Sequence, residues 1–169
     1  IADPQYFSAT DLHSTSMAAY QKGIPVVGYA DDFDGDPRSL TMPCIGADEF
    51  TVSTMSYNSS TCTQGNTDQV PAGFADQEII GIEVTVDGSL SPISATSFTC
   101  STAGSTTAND IAAAKLYYTG RTATFDATTL VGSVSSPSGT FTITGSQALE
   151  GPGTNYFWLA YDIAASAPT

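Results

Sequence analysis

Cations are what this chain lacks. Four Lys and Arg stand against 17 Asp and Glu in 169 residues, giving a formal net charge of -13 at pH 7. Four cations cannot neutralise a phosphate track, so nucleic acid is excluded as a partner, and anionic membranes are repelled for the same reason. No apolar run approaches the length of a membrane span, which excludes insertion by a helix. The start, Ile1-Ala2-Asp3-Pro4, lacks the basic and apolar regions of a signal peptide, so the chain reads as a mature or excised segment.

Groups that do chemistry are equally scarce. His13 is the only histidine, and no Gly-x-Ser-x-Gly, His-Glu-x-x-His or P-loop pattern accompanies it. A nucleophile with its base is therefore not in evidence, and no catalytic residue is assigned. The Glu residues are Glu49, Glu78, Glu83 and Glu150. Glu78 and Glu83 flank or alternate with core positions on an outward strand face, as solvated residues do. Cys44, Cys62 and Cys100 match no zinc spacing. Cys62 and Cys100 fall in the same part of the chain and are expected to form a disulfide, which leaves Cys44 free to pair between subunits.

What is abundant is Ser, Thr, Gly and Val in short alternating runs. In Glu78–Val86, Ile80, Ile82, Val84 and Val86 share one face while Glu83 and Thr85 share the other, and Asp87-Gly88 ends the run as a turn. Phe50–Met55, Ile93–Thr99, Lys115–Thr119, Thr140–Thr144 and Asn155–Ile163 are further strands, each bounded by Gly, Pro, Ser or Asn. A short helical turn is expected within Asn109–Lys115, capped by Asn109 or Asp110. Tyr156–Tyr161 is apolar on both faces and reads as a central strand with Trp158 as a core anchor. Tyr117, Tyr118, Tyr156 and Tyr161 could offer a sugar-stacking platform, although at strand spacing they fit the core better. Asn58-Ser59-Ser60 is a glycosylation sequon where the machinery exists.

The first fifty residues differ in kind. Gly and Pro interrupt them too often for a long helix, and they hold too few large apolar side chains to bury a core alone. Within them lies the acidic run Asp31-Asp32-Phe33-Asp34-Gly35-Asp36-Pro37-Arg38. Asp32, Asp34 and Asp36 alternate as calcium ligands on a loop do. The EF-hand pattern fails, however, because the Gly is misplaced and no Glu closes a twelve-residue loop. The other reading is a turn network, with carboxylates accepting backbone N–H bonds and one paired with Arg38.

Two resemblances are specific. Asp3-Pro4-x-Tyr6-Phe7, Asp11-Leu12-His13, the acidic run and Ile45-Gly46-Ala47-Asp48-Glu49-Phe50 resemble the C-terminal end of Bacteroidetes right-handed parallel β-helix surface proteins. In that family the motif D-x-D-G-x-x-R precedes I-G-A-x-E-[FY], and Cys44 stands where Asp is usual. From about Thr51, Gln77–Val84, Asp110–Gly120, Gly139–Leu149 and Asn155–Ile163 resemble the domain at the N-terminus of BNR-repeat neuraminidases. No Asp-box repeat (S-x-D-x-G-x-T-W) occurs, so the resemblance carries no sialidase activity.

The expected fold is all-β: an immunoglobulin-like β-sandwich over residues 51–169, preceded by a β-helix-end-like docking segment over residues 1–50. The expected function is non-catalytic, a structural module of a secreted or cell-surface bacterial protein in adhesion or assembly. Residues 1–50 would dock on a neighbouring copy, or on adjoining domains, to build a filament. The alternative is a carbohydrate-binding accessory module of a secreted glycosidase, with glycans as partners. No cofactor is expected beyond the calcium that the aspartates suggest.

Overall fold

A computed structural model describes residues 10–14, 16–104 and 107–168. The chain divides into two compact units, one comprising Ile1–Thr54 with Gly88–Ser91, the other Met55–Asp87 with Pro92–Thr169. The Asp3–Phe7 portion of the β-helix-end resemblance lies outside the described residues.

The larger unit is an all-β, immunoglobulin-like sandwich. Its strands are β1 (Ser56–Thr63), β2 (Gln77–Asp87), β3 (Ser94–Ser101), β4 (Ile111–Tyr118), β5 (Leu130–Ser135), β6 (Thr140–Ala148) and β7 (Gly153–Ile163). One sheet has the order β1-β2-β7-β4-β5, and the second is the pair β3-β6. All ladders are antiparallel, as expected where a sheet buries one face and wets the other.

Inward residues of the two sheets form one core. Val86 from β2, Leu116 from β4, Ile143 from β6 and Phe157 and Leu159 from β7 are its most deeply buried large side chains. Phe157 sits against Phe98 and Tyr118, with ring centroids 4.8 and 4.9 Å apart. The foreseen alternation of β2 is present: Ile82, Val84 and Val86 are buried, Ile80 packs against the core, and Glu83 is exposed.

On one side, β5 and β6 close the sandwich by backbone approach. Gly132 faces the Thr144 carbonyl and Gly145 the Val131 carbonyl, with no room for a Cβ at either position. The other side, between β1 and β3, is a groove of about 530 Å³ floored by Ile80, Ile82 and Phe98.

Three local expectations need correction. The helical turn over Asn109–Lys115 is a single 3-10 turn at Ala108–Asp110, after which Ile111 opens β4. Pairing with both β5 and β7 overrides the helix preference of the alanines. Phe50–Met55 is not a strand; β1 begins at Ser56 instead. Trp158 is not in the core, because Phe157 and Leu159 take the inward positions of β7 and strand alternation sends Trp158 outward.

Among the described residues, one polar side chain is buried completely. Asn155 Oδ1 accepts the Tyr118 hydroxyl at 2.7 Å and the Glu150 N–H at 2.8 Å, while Nδ2 donates to the Glu150 carbonyl at 2.8 Å. It thereby stands in for a strand partner along the turn between β6 and β7. Replacing Asn155 with Ala deprives the buried Tyr118 hydroxyl and the Glu150 N–H and carbonyl of their partner and is expected to cost about 3 kcal/mol, read as a shift in the urea midpoint at unchanged slope.

Candidate functional site

Three constellations bring polar or aromatic groups together. The first is the acidic run in the smaller unit. Asp32 Oδ1 accepts the N–H groups of Asp34 and Asp36, each at 2.9 Å, and its Oδ2 accepts that of Glu49 at 2.9 Å. Burial of Asp32 opposes ionisation, but these backbone bonds together hold its carboxyl below the ordinary range. The carboxylate thus serves as the hub of a turn. Arg38 donates to the Gly46 and Cys44 carbonyls at 3.0 and 2.7 Å. Its partner acid is Glu49, at 3.7 Å, rather than an aspartate of the run.

Among the described residues, Asp32, Asp34 and Asp36 do not form a group whose carboxylate oxygens all lie within 4.8 Å of one another. Asp34 turns to His13, whose Nε2 lies 2.8 Å from it while Nδ1 lies 2.6 Å from Asp11. Among the described residues, the acids and imidazole close enough to share a cation are His13, Asp34 and Asp48. Asp48 already accepts the Ser14 N–H at 3.0 Å.

The second constellation lies in the sandwich. Lys115 Nζ bridges Asp76 and Asp162, at 2.8 Å to each, and the Tyr117 hydroxyl donates to Asp76 at 2.6 Å. The Lys115 hydrogen bonds lower the Asp76 carboxyl below its usual range. Burial, helped by Asp76, pushes the Tyr117 hydroxyl up to about 12. A lysine so held, with its charge fixed by two acids, is a tie between β4, β7 and the segment entering β2. It is not a free base.

The third is aromatic. Of the four tyrosines considered for a platform, Tyr117, Tyr118 and Tyr161 are buried, while Tyr156 is half-buried and turned outward. The outward aromatic that sequence reasoning missed is Trp158, with Phe125 edge-on to it at 6.0 Å. The signal was the alternation within Tyr156–Tyr161, obscured because both faces of that run are apolar.

All three cysteines are free thiols: Cys44 buried, Cys62 exposed and Cys100 half-buried. Cys62 and Cys100 are not bridged, but both line the groove between β1 and β3.

The family model for the N-terminal domain of BNR-repeat neuraminidase matches residues 66–168, from the segment after β1 to the end of the sandwich. The chain belongs to this family. No curated protein and no solved structure matches it. The family is an N-terminal domain associated with neuraminidase repeats, an accessory rather than a catalytic part. This BNR-associated domain contains, among its described residues, no helix long and apolar enough to cross a membrane.

His13 supplies the test of the acidic network. The hydrogen bond that the His13 ring donates to the Asp11 carboxylate raises the imidazole pKa above the ordinary 6.5, with Asp34 and Asp48 adding to the effect. The stability this gives is present in full below 6.5 and fades as pH rises through the elevated value. An NMR titration of the imidazole should show a midpoint above 6.5 that falls in Asp11→Asn. A midpoint at or below 6.5 in the parent protein would contradict the placement of His13.

Proposed function

We propose that this BNR-associated protein is an extracellular, non-catalytic structural module, and that its smaller unit assembles it with a second copy. The supporting observation is the apolar surface of Lys22–Ala47. Val27 is 100 % and Ile24 85 % exposed, and Val26, Tyr29, Leu40 and Ile45 are exposed with them. Ile24, Val26, Tyr29, Phe33, Leu40 and Ile45 line a shallow depression of about 770 Å³. Apolar patches of this kind mark interaction surfaces. The resemblance of this segment to the end of a β-helix supplies a reason, since such an end is built to be covered by another coil. Head-to-tail repetition of the contact would produce a filament.

Sedimentation over a wide concentration range tests the assembly. Association that rises with concentration and is abolished by Val27→Asp, with the thermal midpoint unchanged, is the expected outcome. A monomer at every concentration removes the proposal.

The same setting bears on the open side of the sandwich. Cys100 has its pKa raised by burial and then by the neighbouring Cys62 thiolate, which, with their shared groove, indicates proximity. Exchange with a small-molecule disulfide would join the two sulfurs and release two thiols. Incubation with oxidised glutathione should lower the intact mass by two hydrogens and raise the thermal midpoint. Cys62 and Cys100 still alkylated after treatment, or stable glutathione adducts on them, would exclude the bridge.

A further inference from the structure

The outer face of the five-stranded sheet holds a cleft that neither the accessory role nor the assembly surface uses. Its position follows from register. Gly81 on β2 pairs with Trp158 on β7 and with Thr63 on β1. In the next row Glu83 pairs with Tyr156 and with Thr61. Two cross-strand rows thus place an indole, a phenol and a carboxylate on one wet surface, with Glu78 and Ala123 at its margins.

Gly81 shapes the floor. The six-membered ring of Trp158 leans over it, and a Cβ built at Gly81 would meet Cζ3 at 3.0 Å and Cε3 at 3.4 Å. Any side chain there would lift the indole away from the sheet. The ring is also fixed at its other end. Trp158 Nε1–H donates to Thr119 Oγ1 at 2.8 Å, and the edge contact with Phe125 limits its swing. An aromatic plane held this way loses little freedom when something stacks on it.

The walls are acidic. Glu83 is exposed and receives only a long bond, 3.4 Å, from the Thr61 hydroxyl. Glu78 is half-buried. None of the four cations of the chain lines the cleft. Two carboxylates accept hydrogen bonds from neutral hydroxyls well and repel another carboxylate. The -13 net charge reinforces that repulsion at longer range. At about 230 Å³ the cleft falls below the ~300 Å³ lower limit of drug-sized ligand sites, which restricts it to one ring.

We propose that this cleft binds a single neutral sugar ring, stacked on the six-membered ring of Trp158, with hydroxyls donating to Glu78 and Glu83. Acidic sugars, sialic acid included, are rejected by the same carboxylates. The site lies wholly in the sandwich and stands or falls independently of assembly through the smaller unit. One ring on so small a surface gives a dissociation constant on the order of millimolar.

Trp158 is the only tryptophan, so its fluorescence reports this cleft and nothing else. The protein is titrated with the methyl glycosides of glucose, galactose, mannose and N-acetylglucosamine, and separately with N-acetylneuraminic acid at constant ionic strength. At least one neutral glycoside should change the emission saturably, and the affinity should fall about tenfold in Glu83→Ala. Glu83→Gln should recover part of the loss, and the thermal midpoint should stay put in both variants. Absence of a saturable change with every neutral glycoside overturns the proposal. So does binding of N-acetylneuraminic acid as tight as that of the best neutral sugar, or binding indifferent to both Glu83→Ala and Glu78→Ala.

Discussion

The alternation of side chains along β7 is the constraint on which the sandwich depends. β7 is paired on both edges, by β2 and by β4, so it cannot slip by one residue without turning its whole side-chain set over. Asn155, Phe157, Leu159 and Tyr161 are held inside, where Phe157 joins the core contributions of both sheets. Tyr156 and Trp158 are held outside by the same geometry. Asn155 secures the register at one end, because its amide saturates the backbone of the turn that feeds the strand. Packing and the outer cleft are thus two consequences of a single choice of register.

The smaller unit is organised differently. With few large apolar side chains to bury, it uses ionised groups as internal fasteners. Asp32 collects three backbone N–H groups, Arg38 collects two carbonyls, and Glu49 accepts the Cys44 N–H at 3.0 Å. Charged groups make stronger hydrogen bonds than neutral ones, and this lets a loop-rich segment hold its shape while leaving apolar residues at its surface. Acidity here is structural first. It also gives every copy a formal net charge of -13, so that copies repel one another at long range.

Some of this was legible in the residues and some was not, for physical reasons. β2 could be read because one of its faces is buried and the other wet, so Ile82, Val84 and Val86 alternate against Glu83. β1, Ser-Tyr-Asn-Ser-Ser-Thr-Cys-Thr, is an edge strand exposed along its whole length; with no apolar face it leaves no period to find. Ile111–Ala114 has a helical composition, and only its two strand neighbours make it extended. Trp158 was misplaced because a run apolar on both faces does not say which face is in. Asp32, Asp34 and Asp36 had the spacing of ligands, but spacing cannot show that backbone N–H groups already occupy Asp32 or that His13 draws Asp34 aside.

Membership in the neuraminidase-associated family gives the domain an accessory role. The register of β7 then sets which of its aromatic side chains face outward. Acrylamide quenching of Trp158 tests that register most directly, since acrylamide is neutral and is not repelled by the acidic surface. Quenching in the native protein, with only a modest increase on unfolding, is the result expected of an indole on the outer face. Emission shielded until the chain unfolds would place Trp158 in the core and contradict the register, and with it the cleft.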